Sequence, residues 1–148
     1  MPIRVATYSD LSGWIELRAQ LWDDTSLDEH RAEAVAMLAK SPNKCIAFLD
    51  VIDGEGIRAF AEAALRHDHV NGCETSPVAF LEGIFVQPND QSSGIGKLLL
   101  KAVQSWARDK GCLELASDAH VDNLASHAFH SATGFEETDR VVYFRKTL

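Results

Sequence analysis

The sequence predicts an α/β domain built on a mixed sheet, and three observations carry that prediction. First, 46% of the 148 residues are apolar and 24% are charged, an ordinary composition for one globular domain. A chain of this length buries roughly 70% of the surface its unfolded form exposes, so it needs no disulfide or metal to hold it. Second, the apolar residues recur with period 2 in some segments and with helical spacing in others. Third, strand segments follow one another directly in the middle of the chain but alternate with helical segments near both ends. Hairpins and crossovers therefore share one sheet.

The elements follow in order. Residues Pro2–Ala6 read as a short strand. Ser9 stands as an N-cap before Leu11, Trp14, Ile15 and Leu21, which recur at helical spacing. Ser26-Leu-Asp-Glu29 is a capping box that opens a second helix. That helix stops near Ser41-Pro42-Asn43, and only the polar stretch Asp23–Thr25 separates the two. Cys45–Ile52 is a strand, Asp53–Gly56 a turn, and Ile57–Arg66 the returning strand, with Ala59, Ala61 and Ala63 on one side. After the loop Asp68–Pro77, Val78–Val86 is the most apolar strand, interrupted by Glu82 and Gly83. Gly94–Lys110 is a helix closed by Gly111, Cys112–Ser117 a strand, and Asn123–Thr133 a helix closed by Gly134. Phe135–Thr138 and Val141–Arg145 read as two final short strands. The order is βααβββαβαββ. No linker, repeat or low-complexity segment divides it, so residues 1–148 form one domain.

Charge and cysteine usage exclude several function classes. The 22 Asp and Glu outnumber the 14 Lys and Arg, for a formal net charge of −8. Nucleic acid is a poor partner for such a chain, since phosphate binding needs a basic face. An acidic surface attracts cationic small molecules, although net charge also simply confers solubility. Cys45, Cys73 and Cys112 make an odd set without paired spacing, hence no disulfide framework. The first residues lack the apolar core of a signal peptide, and no apolar run is long enough to span a membrane. The expectation is a cytoplasmic protein with no membrane partner.

The chemistry concentrates between residues 78 and 97. Val78–Val86 is followed by Gln-Pro-Asn-Asp-Gln-Ser-Ser-Gly94-Ile-Gly96-Lys97. This is a strand, a glycine-containing turn and a helix start. The free amides and positive dipole end of a helix N-terminus suit an anion, and glycines let the backbone close around a phosphate. The spacing fits neither a P-loop nor a dinucleotide fingerprint, and a glycine-rich helix start with no ligand is the plain alternative.

Gln91-x-x-Gly94-x-Gly96 after Phe85-Val86 resembles the pyrophosphate loop of the GNAT superfamily of acetyl-CoA-dependent N-acetyltransferases. Asn123, Ala125 and Phe129-x-x-x-x-Gly134-Phe135 resemble the superfamily's second cofactor segment. The element order is similar along nearly the whole chain, which implies the GNAT fold. A narrower resemblance, to aminoglycoside 6'-N-acetyltransferases, is carried by Gln20-Leu-Trp22, Arg66-His-Asp-His-Val-Asn-Gly-Cys73, Phe80–Val86, Lys110-Gly-Cys112, Ala116-Ser-Asp118 and Gly134–Arg140.

That resemblance implies acetyl transfer from acetyl-CoA, as cosubstrate, to the 6'-amine of an aminoglycoside antibiotic. It implies cofactor contacts from Ser92, Ser93, Gly94, Ile95, Gly96 and Lys97, from Asn123, and from the strand segment Ile84, Phe85 and Val86 along which the pantetheine arm runs. Backbone amides there can polarise a thioester carbonyl. Asn123 also reads as a helix N-cap. The resemblance places Glu82, Asp118 and Asp139 toward the acceptor's ammonium groups. Glu82 interrupts an apolar strand, where a carboxylate is costly unless it is paired or faces a cleft, and it is the candidate base, acting directly or through one water. Without the resemblance, Asp118 reads equally as a helix cap and Asp139 as a turn residue. Trp22 offers a π face to a sugar or an ammonium, or a core indole four residues from Arg18.

Two positions depart from the family pattern. His69 stands where related enzymes carry Tyr, and His130 follows Phe129 where many superfamily members carry a tyrosine acid. His67, His69 and Cys73 lack a fourth ligand for zinc, so no metal is expected. The resemblance also implies a homodimer, for which the two final strands offer edges. The alternatives are an acetyltransferase acting on a polyamine or a protein N-terminus, and a non-catalytic CoA-binding sensor.

Overall fold

Five strands lie side by side in the order β1-β2-β3-β4-β5 in a computed structural model that describes residues 3–148. They are β1 (Ile3–Val5), β2 (Cys45–Ile52), β3 (Gly56–Arg66), β4 (Val78–Val86) and β5 (Leu115–Ser117). The first four are antiparallel, and β5 joins β4 in parallel after a helical crossover. Four helices flank the sheet: α1 (Leu11–Leu21), α2 (Leu27–Lys40), α3 (Ile95–Asp109) and α4 (Leu124–Ala132).

Alternation along β3 sorts side chains to two faces. Ala59, Ala61 and Ala63 join Ile95, Leu99, Leu100, Val103 and Trp106 of α3 in one core. The small alanines let α3 lie close to the sheet. On the other face, Phe60 packs with Leu49 of β2 and with Trp14, Ile15 and Leu17 of α1. The Trp106 indole N–H donates to the Pro42 carbonyl at 2.8 Å, tying α3 to the α2–β2 connection.

Several boundaries differ from the sequence expectation, for local reasons. A 3-10 turn at Tyr8–Asp10 precedes α1, and Asp10 rather than Ser9 occupies the N-cap. Asp10 accepts from Arg4 and from the Thr7 amide, each at 2.8 Å. For the first strand, Pro2 lies outside the described residues. Ser26 caps α2 as expected, accepting the Glu29 amide at 3.1 Å. The strand expected over Cys112–Ser117 shortens to Leu115–Ser117, because the Cys112 amide still closes the end of α3 on the Ala107 carbonyl. The expected strands Phe135–Thr138 and Val141–Arg145 are absent as ladders: residues 135–148 carry no helix or strand. They find no partner strand within this chain.

The sheet contains two features that position the site. In the β3–β4 ladder Glu62 pairs with Gly83 and Ala63 pairs with Leu81, so Glu82 is the extra residue of a β-bulge. A bulge breaks the alternation and re-aims the side chain it carries. The β4–β5 ladder holds only the rungs Ala79–Leu115, Phe80–Ala116 and Leu81–Ser117. Beyond Leu81 the two strands part, and the rest of β4 has no neighbour on that side.

Candidate active site

Glu82 stands at the fork where β4 and β5 separate. Its carboxylate accepts from Arg66 Nη2 at 3.0 and 3.3 Å. The Arg66 guanidinium itself lies 3.5 Å from the centroid of the Phe80 ring. Both partners of this pair are partly exposed, at 44% and 37%, so the pair is weakly held and open to exchange.

The next residue in the bulge is a glycine because an indole lies on it. A Cβ on Gly83 would sit 2.5 Å from Cζ2 of Trp22. Trp22 follows the last residue of α1, and its amide donates to the Arg18 carbonyl at 2.8 Å. Trp22 and Glu82 line one cavity of about 320 Å³ together with Arg18, Thr25, His30 and Glu33. A second depression of about 520 Å³ is lined by Gln20, Ile57, Arg58, Gln87, Asn89 and others. None of the expected acceptor residues lines that depression.

The remaining expected acceptor residues stand outside the 320 Å³ cavity. Asp118 is exposed and is the first residue after β5, as Glu82 is the first residue of β4 after the last rung. His69 is exposed in the loop between β3 and β4. Glu114 clamps the far end of that loop, accepting the Glu74 and Thr75 amides at 2.9 and 2.8 Å and the Thr75 hydroxyl. Those donors hold the Glu114 carboxyl below the ordinary carboxylate range. Asp139 is exposed and follows Thr138, whose side chain occupies the space a Cβ on Gly72 would need. The tail thus crosses the loop that carries His69.

The strand, glycine-containing turn and helix start expected from the sequence are present. After β4 a 3-10 turn at Pro88–Asp90 leads to α3, whose N-cap Gly94 has φ +89°. No atom lies within 4 Å of a Cβ built there, so it is backbone conformation that requires glycine. Ser92 also takes a positive φ, 65°. The Gln91 side chain donates to the Val86 carbonyl at 3.1 Å and closes the loop. The amides of Ile95, Gly96 and Lys97 in the first turn of α3 have no intrahelical acceptor. Gly96 lies close against α4: a Cβ there would meet the Phe129 ring at 3.1 Å. Ile84, Phe85 and Val86 form the strand segment beyond the fork. Asn123 accepts the Ser126 amide at 3.1 Å and caps α4. The helix start thus follows a strand segment that is paired with β3 but free on its β5 side.

Two groups near the fork were not expected from the sequence. Ser117, on the last β4–β5 rung, lies with its Oγ 2.8 Å from His130 Nε2, and His130 Nδ1 is 2.7 Å from the Ser126 carbonyl. Behind Trp22, Arg18 and Glu62 are each 3% exposed, and Arg18 pairs with Glu62 and with Glu33. Burial pushes the Glu62 carboxyl up, while Arg18 and the Trp14 indole N–H at 2.9 Å oppose that rise. The signal for Glu62 was a carboxylate inside an alanine-rich strand. Its partner is 44 residues away, which no local spacing reveals.

The comparisons with known proteins agree with this geometry. The profile of the acetyltransferase (GNAT) family matches residues 11–135. An aminoglycoside N(6')-acetyltransferase type 1 of Stenotrophomonas maltophilia is 51% identical, over 99% of this chain and 93% of that protein. One of Serratia marcescens is 47% identical over 99% of both. Among solved structures, aminoglycoside N-acetyltransferase AAC(6')-Iy in complex with a CoA-S-monomethyl-acetylneamine bisubstrate analogue superposes with a TM-score of 0.91. It is 44% identical, covering 99% of this chain and 97% of that one. The 6'-N-acetyltransferase AAC(6')-Ig of Acinetobacter haemolyticus superposes with a TM-score of 0.92 at 41% identity, covering 100% and 99%. The chain belongs to the acetyltransferase (GNAT) family.

Proposed function

We propose that this protein transfers the acetyl group of acetyl-CoA to the 6'-amine of an aminoglycoside, by direct attack of the amine in a ternary complex, and so confers resistance to these antibiotics. One observation carries the reading: a carboxylate and an indole share a cavity at the β4 bulge, beside the strand segment that is free on its β5 side and leads to the N-terminus of α3. The 38–51% identity to proteins named for this activity supports it, as does the likeness to a structure holding a bisubstrate analogue.

Acetyl-CoA supplies the thioester, and its thiol, with a pKa of about 8.5, is a fair leaving group. The amides of residues 92–97 and the Lys97 ammonium hold its pyrophosphate. Asn123 adds a contact from α4. The backbone of Ile84, Phe85 and Val86 lies along the pantetheine arm and offers an N–H to the carbonyl oxygen, where charge develops. Glu82, Asp118 and Asp139 hold ammonium groups of the acceptor, His69 borders it, and Trp22 gives it a flat π surface. Glu82 exchanges Arg66 for the substrate and takes the amine proton through water.

We further infer a cytoplasmic homodimer. Residues 135–148 expose Val142, Tyr143 and Phe144 at 77, 85 and 93%, and β5 ends the sheet with a free outer edge. A tail without a ladder among the described residues of its own chain and a sheet edge without a partner could complement each other across two copies.

The test is CoA thiol release on adding kanamycin to enzyme and acetyl-CoA, with the acetyl position read by NMR. The expected result is release with acetylation of the 6'-nitrogen. Release with a polyamine or a peptide N-terminus but not with kanamycin assigns another acceptor. Acetyl-CoA binding without turnover assigns a sensor.

A further inference from the structure

We propose that Arg18 is a positioning residue for the acceptor site: paired with the buried Glu62, it holds the Trp22 indole on Gly83 beside Glu82. The inference rests on the acceptor reading given above and adds to it a residue that touches no substrate.

The β3–β4 register brings the parts together. Glu62 and Gly83 form one rung, directly before the bulge at Glu82. Arg18 rises from α1 and places Nη1 on both oxygens of Glu62. Its guanidinium carbon then stands 4.9 Å from the Trp22 ring centroid, within cation–π range. Nη2 reaches Glu33 of α2. Nε donates to His30 Nδ1 at 3.3 Å. Because arginine only donates, His30 Nδ1 is the acceptor and the ring proton sits on Nε2. Nε2 lies 3.0 Å from the Trp22 carbonyl and donates to it. His30 is fully buried, and its ring stacks on Trp22 at 24° with centroids 6.4 Å apart. Trp22 is therefore held through its ring by Arg18, through its carbonyl by His30, and from below by the bare backbone of Gly83.

The energetics favour a positional role. A buried ion pair adds little net stability over an apolar pair of the same shape, because desolvation offsets the attraction. What a planar guanidinium with all three nitrogens engaged supplies in exchange is direction. Here that direction points at one aromatic ring in the substrate cavity.

The test is a double-mutant cycle. R18M/E62Q removes both charges and leaves the Trp14 indole an acceptor at position 62. It is expected to raise KM for kanamycin about tenfold, the scale of a lost aromatic–cation contact, with kcat and the KM for acetyl-CoA within about threefold of wild type. In a W22A background the same pair of changes is expected to raise KM no further. G83A moves the indole without touching the ion pair, so it keeps the test open should R18M/E62Q fold poorly. It too is expected to raise KM in wild type and to be silent in W22A. Equal effects with and without Trp22, an unchanged KM in folded R18M/E62Q, or an unchanged KM in G83A overturn the proposal while leaving the acceptor assignment intact. Wild-type enzyme that fails to acetylate kanamycin overturns the assignment itself, and this inference with it.

Discussion

At the residue scale the proposed chemistry rests on Glu82, and its setting explains why a carboxylate is tolerated in an apolar strand. The bulge turns it out of the sheet, and Arg66 neutralises it at the cavity mouth. E82Q keeps the shape and the hydrogen bond but removes the base and the charge. It is expected to lower kcat on the order of 100-fold or more, with acetyl-CoA affinity by calorimetry near wild type. Wild-type turnover in that variant contradicts the role. The proposed function sets His69 beside the acceptor rather than the cofactor, so H69Y is expected to change KM across a panel of aminoglycosides and leave the KM for acetyl-CoA unmoved. Glu82 was legible as a charge inside Val78–Val86, and the adjoining Gly83 was the visible mark of irregular pairing. Arg18, Glu62 and Arg66 were not legible as partners, because their contacts join segments 16 to 44 residues apart.

At the scale of elements the proposed cofactor site is the β4–loop–α3 unit. Its sequence shows the period change from strand to helix and the glycines between them, and its observed limits, Val78–Val86 and Ile95–Asp109, match the reading closely. Gly94 at φ +89° is the position where that unit is most demanding. G94A strains the loop and is expected to weaken acetyl-CoA binding in direct titration, with the fold preserved by circular dichroism. Acetyl-CoA affinity equal to wild type contradicts a loop built for the pyrophosphate. The helix depends on its packing against the alanines of β3. Leu99 is completely buried, and L99A is expected to cost about 2–5 kcal/mol in chemical denaturation. β5 was read too long, because the residues after Gly111 satisfy the end of α3 before they join the sheet. Apolar character alone does not separate those two uses.

On the scale of the whole molecule, the account concerns how the chain ends, how it withstands acid, and what it does. The final segment was read as two short strands, whereas residues 135–148 carry no helix or strand, and the proposed homodimer would supply the partner such strands need. Removal of residues 135–148 is expected to halve the mass measured by sedimentation, and a dimeric truncated protein contradicts the proposed interface. Acid sensitivity follows from the first turn of the chain. The Arg4 guanidinium hydrogen-bonds Asp10 and, with the Thr7 amide, holds its carboxyl at about 2, below its ordinary 3.8. The ionised form belongs to the folded state, so this stabilisation is present at neutral pH and is lost as pH falls from 3.8 through about 2. D10N is expected to be less stable than wild type near pH 7 and to lose less on acidification, read from denaturation midpoints across pH. Activity is the most direct test of the central claim. Thiol release from acetyl-CoA is measured with kanamycin and, beside it, with paromomycin, which carries a 6'-hydroxyl in place of the amine. Rapid release with kanamycin and little with paromomycin is the predicted result, and equal release with both contradicts the 6' assignment.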